Sequence, residues 1–238
     1  MPSPYNLALH EQCTTCTLPK GGLFCDLSLG ALSALDGMKF TSVYPKGSVL
    51  FVEGEQPRGI FILCSGRAKL STSSSEGKTL IVKLVEMGEM LGASASILGK
   101  PYEVTAETIE PAQVNFVKRD DFLRFLGSHA EACMNTAQQL SEKYRSAQQE
   151  IRSLGLSQTT SEKLAKLLID WCDRGEETGK GTRLKVLLTH EEIGQMIGTT
   201  RETVTRLLSE FKRKRIIDVK GSTFVITGKT ALREMISF

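Results

Sequence analysis

The sequence predicts an α+β protein in which one long helix joins a strand-rich N-terminal part to a helical C-terminal part. Short apolar runs broken by turn residues fill residues 31–120. Apolar residues at alternating spacings of three and four follow over residues 121–156. Two short amphipathic helices around a tight turn lie within residues 157–238, and a cysteine-containing segment covers residues 1–30. These four ranges are the predicted domains.

The β region contains five strand candidates separated by glycine-containing turns. The strand candidates are Val49–Val52, Ile60–Leu63, Ala68–Leu70, Leu80–Val82 and Val114–Val117. The turns contain Gly47, Gly54, Gly66, Gly77 and Gly88. Turn residues at intervals of about 8–12 residues favour a β-barrel or a jelly roll.

One apolar stripe runs along the predicted connecting helix. Its members are Leu126, Ala130, Cys133, Ala137, Leu140, Tyr144, Ala147 and Ile151. A stripe sustained over about four heptads predicts a coiled-coil seam, and therefore a parallel homodimer. The alternative is a helix packed on its own β domain, but the intervening residues are too polar for burial on several sides.

Two short helices are predicted on either side of Gly198 in the C-terminal part. Thr189 predicts an N-cap with Glu192 as its capping-box partner, and Gly198 ends that helix because glycine adopts a left-handed conformation without penalty. Thr200 predicts the N-cap of a second helix. The apolar face of this second helix consists of Val204, Leu207, Leu208 and Phe211. Two short helices joined by a tight turn predict a helix-turn-helix.

A hairpin and a supporting helix complete the predicted C-terminal domain. Ile216–Val219 and Thr223–Ile226 flank a Lys-Gly-Ser turn, which predicts a wing. A glycine-rich loop at 174–182 and a strand at Leu184–Leu188 precede the two helices, and a polar hinge is predicted around residues 155–161. The helix expected to pack beneath the motif carries Leu164, Leu167, Leu168, Trp171 and Cys172.

The polar face of the second helix carries groups that suit base-pair edges. Arg201, Glu202 and Arg206 lie on one turn at its start. A guanidinium can donate twice to guanine O6 and N7, and a carboxylate can accept from cytosine N4. The alternative is a solvated helical hairpin with an ordinary basic surface.

The segment EIGQMIGTTRETVTRLL resembles the recognition motif of the CRP/FNR family of bacterial transcription regulators, in particular its cyclic-AMP receptor branch. The resemblance implies that bases are read by Arg201, Glu202, Thr205 and Arg206. It implies phosphate contacts by Thr189, Thr200 and Thr203, and the basic run and the wing add Lys212 and Lys220. A homodimer on an inverted repeat of TGTGA-like half-sites, with RNA polymerase as a partner, is the expected function.

Three cysteines near the N-terminus have a spacing that suits a soft metal. Cys13, Cys16 and Cys25 lie in a short loop interrupted by glycine and proline, which could wrap zinc or an iron–sulfur cluster. They resemble the N-terminal cysteines of the FNR branch, whose fourth cysteine corresponds to Ala112. A cluster here would need a substitute ligand; the alternative is that these cysteines bind no metal. The substitutes considered are Cys64, Cys133 and His10.

The β region also resembles cyclic-nucleotide-binding β-rolls, in which the pattern FxxGxxxxxxFxxxxG is common. The loose match consists of Phe51, Gly54, Phe61 and Gly66. In the cyclic-AMP branch a glutamate and an arginine contact the nucleotide. This chain has Ala93 at the first position and Tyr102-Glu103 near the second, so a phosphate would meet a carboxylate and no guanidinium. Cyclic AMP is therefore not the expected ligand.

The composition and the positions of a few residue types limit the other functional classes that this sequence could belong to. The net charge of +3 is mild, so the nucleic-acid argument depends on where the basic residues cluster. No apolar run approaches the roughly 20 residues of a membrane span, and no secretion signal is evident, so we expect a cytoplasmic protein with reduced cysteines. A metal-dependent enzyme of the cupin type would need histidines on strands. His10, His129 and His190 lie outside the β region, so no enzyme is expected.

Overall fold

The computed structural model describes residues 5, 7, 9–16, 24–155, 159–173 and 175–236. The chain forms two compact units, residues 1–148 and 149–238, and the longest helix crosses the boundary between them. Among the described residues, no helix is both long and apolar enough to cross a membrane.

In the described part of the first unit, two four-stranded antiparallel sheets form a β-roll. The strands are β1 (Lys39–Tyr44), β2 (Val49–Phe51), β3 (Gly59–Ser65), β4 (Ala68–Ser73), β5 (Thr79–Val85), β6 (Met90–Leu91), β7 (Thr105–Thr108) and β8 (Ala112–Lys118). Their orders are β1-β8-β3-β6 and β2-β7-β4-β5. Alternation along β3 places Phe61 and Leu63 in the core between the sheets, while Ile60 and Ile62 pack in a second cluster on the outer face.

All five predicted strand candidates fall on strands of the roll, although Val52 lies just beyond β2. Strands β1, β6 and β7 were not predicted, because KFTSVY and TAET are largely polar and β6 has only two residues. The five predicted turn glycines all have φ between 78° and 86°. Glycine adopts this left-handed region without the steric cost that a Cβ brings, so these turns require it.

Four helices accompany the strands in the described part of the first unit. They are α1 (Leu29–Met38), α2 (Ala93–Leu98), α3 (Arg119–Ser128) and α4 (Ala130–Gly155). The outer cluster of the roll is completed by Leu32 and Leu35 of α1 and by Phe122 and Phe125 of α3. The strand-rich region predicted over residues 31–120 therefore starts with part of α1, and its first strand is β1.

The prediction of one uninterrupted connecting helix is wrong. The helix breaks at His129, whose φ of −129° and ψ of 93° are extended. Gly127 and Ser128 precede the break, and both residues have low helix propensity. Leu126 consequently lies on α3 and packs against the outer cluster of the roll rather than extending the stripe of α4.

The second unit contains helices around a four-stranded antiparallel sheet. Its elements are α5 (Thr160–Cys172), β9 (Glu176–Thr178), β10 (Gly181–Lys185), α6 (His190–Ile197), α7 (Arg201–Arg213), β11 (Ile217–Lys220), β12 (Thr223–Ile226) and α8 (Lys229–Met235). The strand order is β11-β12-β10-β9. Leu164, Leu168, Trp171 and Cys172 are buried in the core beneath the helices, as predicted.

The region between α5 and α6 differs from the prediction. The expected loop at 174–182 contains the hairpin of β9 and β10, and the strand expected at Leu184–Leu188 begins earlier, at Gly181, and ends at Lys185. A Cβ on Gly181 would lie 2.2 Å from the carbonyl oxygen of Ile226. This glycine therefore marks a close approach to β12, not a loop. Positions 156–158 of the predicted hinge lie outside the described residues.

Candidate functional site

Helices α6 and α7 begin at their predicted N-caps, Thr189 and Thr200, and α6 ends at the predicted Gly198. The Thr189 hydroxyl accepts a hydrogen bond from the Glu192 backbone N–H at 3.2 Å, and the Glu192 carboxylate accepts from the Thr189 N–H at 2.9 Å. This capping box satisfies donors that the first turn of a helix leaves unpaired. Gly198 ends α6 at φ 69°.

A close backbone contact sets the geometry of the turn between α6 and α7. The Thr199 N–H donates to the Gly194 carbonyl oxygen at 2.8 Å. A Cβ on Gly194 would lie only 2.7 Å from the Thr199 carbonyl oxygen. Gly194 thus allows the turn to lie directly on α6. This role was not predicted from the sequence, although a glycine inside a helix often indicates close packing.

Helix α7 separates an apolar face from a polar face. Thr200 caps it, accepting from the Thr203 N–H at 3.3 Å, and Val204 and Leu207 are buried. The other face exposes the predicted base-reading groups Arg201, Glu202 and Arg206. Hydrogen bonds from its own backbone N–H and from the Thr200 hydroxyl lower the pKa of Glu202, which keeps this carboxylate ionised as an acceptor.

Thr205, the fourth predicted base-reading residue, already has two partners within the domain. Its hydroxyl donates to the Arg201 carbonyl oxygen at 2.9 Å and lies 2.9 Å from His190 Nδ1. His190 was not predicted to contribute. It lines a small groove of about 230 Å³ with Thr189, Glu191 and Arg201, where the N-terminal ends of α6 and α7 meet. Residues of both helices therefore converge on one surface.

The expected phosphate-binding residues are on the surface, but their environments differ. Thr189 and Thr200 are exposed caps, and the Thr203 hydroxyl lies 3.2 Å from that of Thr200. Lys212 is held by the wing: its Nζ lies 3.4 Å from the Asp218 carboxylate and donates to the Val219 carbonyl oxygen.

The wing residue Lys220 lies in a basic groove that the sequence analysis missed. This groove, of about 450 Å³, is also lined by Lys180 and Arg183 of the β9–β10 hairpin. Both residues were overlooked because that hairpin was interpreted as a loop. They are further candidates for contacts to an anionic backbone.

Comparison with known proteins identifies both parts of the chain. Residues 162–235 match the family model of the Crp-like helix-turn-helix domain, and residues 41–129 match that of the cyclic nucleotide-binding domain. Together the two matches cover more than half of the 238 residues. The chain belongs to the CRP/FNR family. It is a DNA-binding transcription regulator of that type, and its described relatives are regulators rather than enzymes.

Relatives of this CRP/FNR-family chain span nearly its whole length. It is 24% identical over 216 residues to the CRP-like cAMP-activated global transcriptional regulator of Mycobacterium tuberculosis, covering 90% of this chain and 96% of that protein. FixK2 of Bradyrhizobium japonicum is similar in structure, with a TM-score of 0.74, 21% identity and coverage of 84% of this chain and 98% of FixK2. The c-di-GMP responsive regulator CLP of Xanthomonas campestris has a TM-score of 0.75, 18% identity and coverage of 84% and 100%.

Buried core residues, Ala93 and Tyr102, stand where the resemblance to the cyclic-AMP branch placed the nucleotide contacts. Ala93 is buried, and Tyr102 stacks on Phe51 with ring centroids 4.1 Å apart while its hydroxyl donates to the Gly59 carbonyl oxygen at 2.8 Å. Glu103 is exposed and accepts from the Ser94 hydroxyl.

Lys143 of α4 is a cation near this region that the sequence analysis missed. Its Nζ donates to the Met90 carbonyl oxygen at 3.2 Å, and burial together with the neighbouring Lys83 lowers the pKa of Lys143. The Lys143 side chain thus links α4 to β6 and helps to pack α4 on the roll.

Helix α4 has two different apolar faces in this CRP/FNR-family chain. Ala132 and Thr136 are buried against the roll, so the alternative of a helix packed on its own β domain holds for this face. The predicted seam lies to one side of it. Leu140 is half-buried, the side chain of Ile151 lies outside the described residues, and the exposed seam residues are Ala130, Cys133, Ala137, Tyr144 and Ala147.

The three N-terminal cysteines of the predicted metal site line one cavity of about 410 Å³ beside the outer face of β3. Cys13, Cys16 and Cys25 are joined there by two of the three substitutes considered, Cys64 and His10. The third substitute, Cys133, is exposed on α4. Burial raises the pKa of the Cys13 thiol to about 11 and that of Cys64 to about 12.

Proposed function

We propose that this CRP/FNR-family protein acts as a cytoplasmic homodimer that binds an inverted repeat of TGTGA-like half-sites and works with RNA polymerase. The exposed set of two guanidinium groups and one carboxylate on the outer face of α7 carries this proposal. The buried opposite face anchors these side chains on a rigid helix. Their chemistry complements guanine and cytosine edges in the major groove.

Each residue has a separate role in the proposed complex. Arg201 and Arg206 would each donate to O6 and N7 of a guanine, and Glu202 would accept from cytosine N4 on the opposite strand. Thr205 holds His190 and the start of α7 together, so its contribution would be to position Arg201. The expected phosphate contacts, which fix the register of the protein on the duplex, are those of Thr189, Thr200, Thr203, Lys212 and Lys220.

The exposed stripe of α4 supports the homodimer. In a single chain Tyr144 is 67% exposed, and Cys133 and Ala137 of the same stripe are also exposed. A second copy of α4 would cover these side chains and leave the roll-facing side of the helix unchanged. Two copies of α7 related by a two-fold axis would then meet half-sites about 34 Å apart.

We further propose that the ligand that activates this protein is not cyclic AMP. A bound nucleotide would need a group for its ribose and a cation for its phosphate. Ala93 supplies no polar group, and Tyr102 is committed to Phe51 and Gly59 in the core. The exposed Glu103 would repel the phosphate.

Selection of binding sites from random duplexes tests the proposal. The wild-type dimer should select a palindrome with TGTGA-like arms. Arg206→Ala should lose about 1–3 kcal/mol per half-site and relax the preference at one guanine. Lys212→Ala is the matched comparison, because Lys212 is exposed on the same helix and is expected to contact a phosphate and no base. That variant should weaken all sequences to a similar degree and lower the salt dependence.

Either of two outcomes would reject the assignment of α7. One is a set of winning sequences without a palindrome. The other is an Arg206→Ala variant that keeps the full wild-type preference at both guanines.

A further inference from the structure

The four-stranded sheet of the second unit has one face in the core and one face toward solvent. Phe224 and Ile226 of β12 are buried in the core of this unit. Because side chains alternate along a strand, Thr223 and Val225 lie on the opposite, outer face. Residues that pair across neighbouring strands share a face, so the register identifies the other members of this outer face.

Two rows of paired residues cross the outer face from β11 through β12 to β10. Each row places a cation of β10 beside a short side chain of β12. The first row contains Lys220, Thr223 and Lys185, and the second contains Asp218, Val225 and Arg183.

The basic groove of about 450 Å³ lies on this outer face and follows β12. Lys220 lines the groove on the β11 side. Arg183 of β10 and Lys180 of the β9–β10 turn line it on the other side, and both are exposed. The floor consists of short, uncharged side chains at alternate positions, which are Thr223, Val225 and Thr227.

Two carboxylates share the outer face with these cations. The Asp218 carboxylate lies 3.4 Å from Lys212 Nζ, so a lysine of α7 already neutralises it. Glu176 pairs with Arg183 in the register of β9 and β10 and lies on the far side of the groove from β12. On the described part of this face the cations outnumber the carboxylates, so the groove attracts anions.

Lys212 connects the base-reading face of α7 to the outer face of the sheet. Arg201, Thr205 and Lys212 are spaced by four and seven residues, which places them on one side of the helix. Lys212 Nζ contacts the Asp218 carboxylate and donates to the Val219 carbonyl oxygen at 3.4 Å. The exposed face of α7 therefore leads onto the sheet at β11, next to the groove.

We propose that the groove formed by Lys180, Arg183 and Lys220 binds the phosphate backbone of the duplex beyond the half-site that α7 reads. The inference rests on the proposed DNA recognition by α7. Cations on both sides of an uncharged floor suit a chain of phosphates, and a guanidinium can bind one phosphate through two hydrogen bonds.

The spacing of the strands gives the expected position of these contacts. Neighbouring strands lie about 4.8 Å apart, so β10 lies about 10 Å from β11, where Lys212 is held. That distance corresponds to about three base pairs at about 3.4 Å each. Lys180 and Arg183 should therefore contact phosphates about three base pairs from the one that Lys212 contacts. Contacts of this kind add affinity but carry no sequence information.

The test measures DNA binding by the full-length protein at several salt concentrations. The duplex contains the sequence that wild type selects and is long enough to extend well beyond both half-sites. Each phosphate contact contributes about 0.9 to the slope of log K against log salt concentration. The double variant Lys180→Ala with Arg183→Ala removes two contacts per chain, so its slope should be smaller by about 3.6 per dimer. Its base preferences should equal those of wild type.

Ethylation interference locates the contacts on the duplex. Ethyl groups on the phosphates about three base pairs from the Lys212 contact should weaken binding by wild type. The same ethyl groups should not weaken binding by the double variant any further, because it has already lost these contacts.

Two single variants serve as controls. Arg183→Lys keeps the positive charge and should retain most of the salt slope. Arg233→Ala removes one cation from α8 of the same unit, away from the groove lining, and should match wild type. Circular dichroism checks that every variant is folded.

The proposal is wrong if the double variant keeps the wild-type salt slope, or if Arg233→Ala lowers the slope as much. It is also wrong if the double variant loses the preference at the guanines, because the two residues would then support α7. Unchanged DNA binding with weaker binding of RNA polymerase would instead assign the groove to an acidic protein surface. A failure of the proposed half-site recognition would appear in the selected sequences and in Arg206→Ala, whereas the salt slope is measured on whichever sequence wild type selects.

Discussion

Replacing Gly194 with alanine should destabilise the second unit, although alanine is the better helix former. The new Cβ would lie 2.7 Å from the Thr199 carbonyl oxygen, so the turn would have to retreat by several tenths of an ångström. Overpacking costs about 1–3 kcal/mol, and weakening the hydrogen bond from Thr199 to Gly194 adds about 1 kcal/mol. The higher helix propensity of alanine relative to glycine offsets about 1 kcal/mol of this cost. The net loss in the free energy of unfolding is therefore about 1–3 kcal/mol.

Urea unfolding measures this loss through the fluorescence of Trp171. It is the only tryptophan of the chain and is buried in the core of the same unit. Gly127→Ala in α3 is the control, because its Cβ would meet no atom within 4 Å. By circular dichroism that variant should be more stable by about 0.4–1 kcal/mol. A Gly194→Ala protein at least as stable as wild type would refute the argument that a backbone contact sets the turn.

Two further predictions concern the dimer and the nucleotide. Ala137→Glu should raise the dimer dissociation constant more than about a hundredfold, because burying two unpaired carboxylates in the seam would cost about 3–5 kcal/mol. In sedimentation experiments the control variant Gln138→Glu, which changes an exposed neighbouring position, should remain dimeric. An Ala137→Glu protein that is as dimeric as wild type would exclude the α4 seam. Calorimetry should detect no specific binding of cyclic AMP, and micromolar affinity that changes on substitution of Ala93 or Tyr102 would overturn that expectation.

The helix-turn-helix was predictable because its determinants are local. Thr189 and Glu192 satisfy each other within one turn of α6, and Gly198 ends that helix by its own conformational freedom. The apolar spacing of Val204, Leu207 and Phe211 follows from the helical period, and it leaves Arg206 on the opposite face. No distant contact was needed for these assignments.

The break of the connecting helix was harder to predict because two kinds of information conflicted. The stripe from Leu126 onward has a helical period, but Gly127 and Ser128 weaken the helix and His129 is extended. In the structure α3 packs on the roll, and Leu126 contacts the roll's outer cluster instead of lying in the seam. Periodicity alone does not reveal which surface an apolar stripe will cover.

The sequence by itself determined the family, the recognition helix and the presence of three closely spaced cysteines, since all three are expressed in short segments. Only the tertiary structure decided where Cys64 lies relative to Cys13 and which polar groups surround them. A bulge in β3 and hydrogen bonds donated by the Cys13 and His10 backbone N–H groups to Asp36 and Gln113 bring those parts together. These are contacts between residues far apart in the chain, and they depend on strand register and burial, which no local pattern of residues specifies.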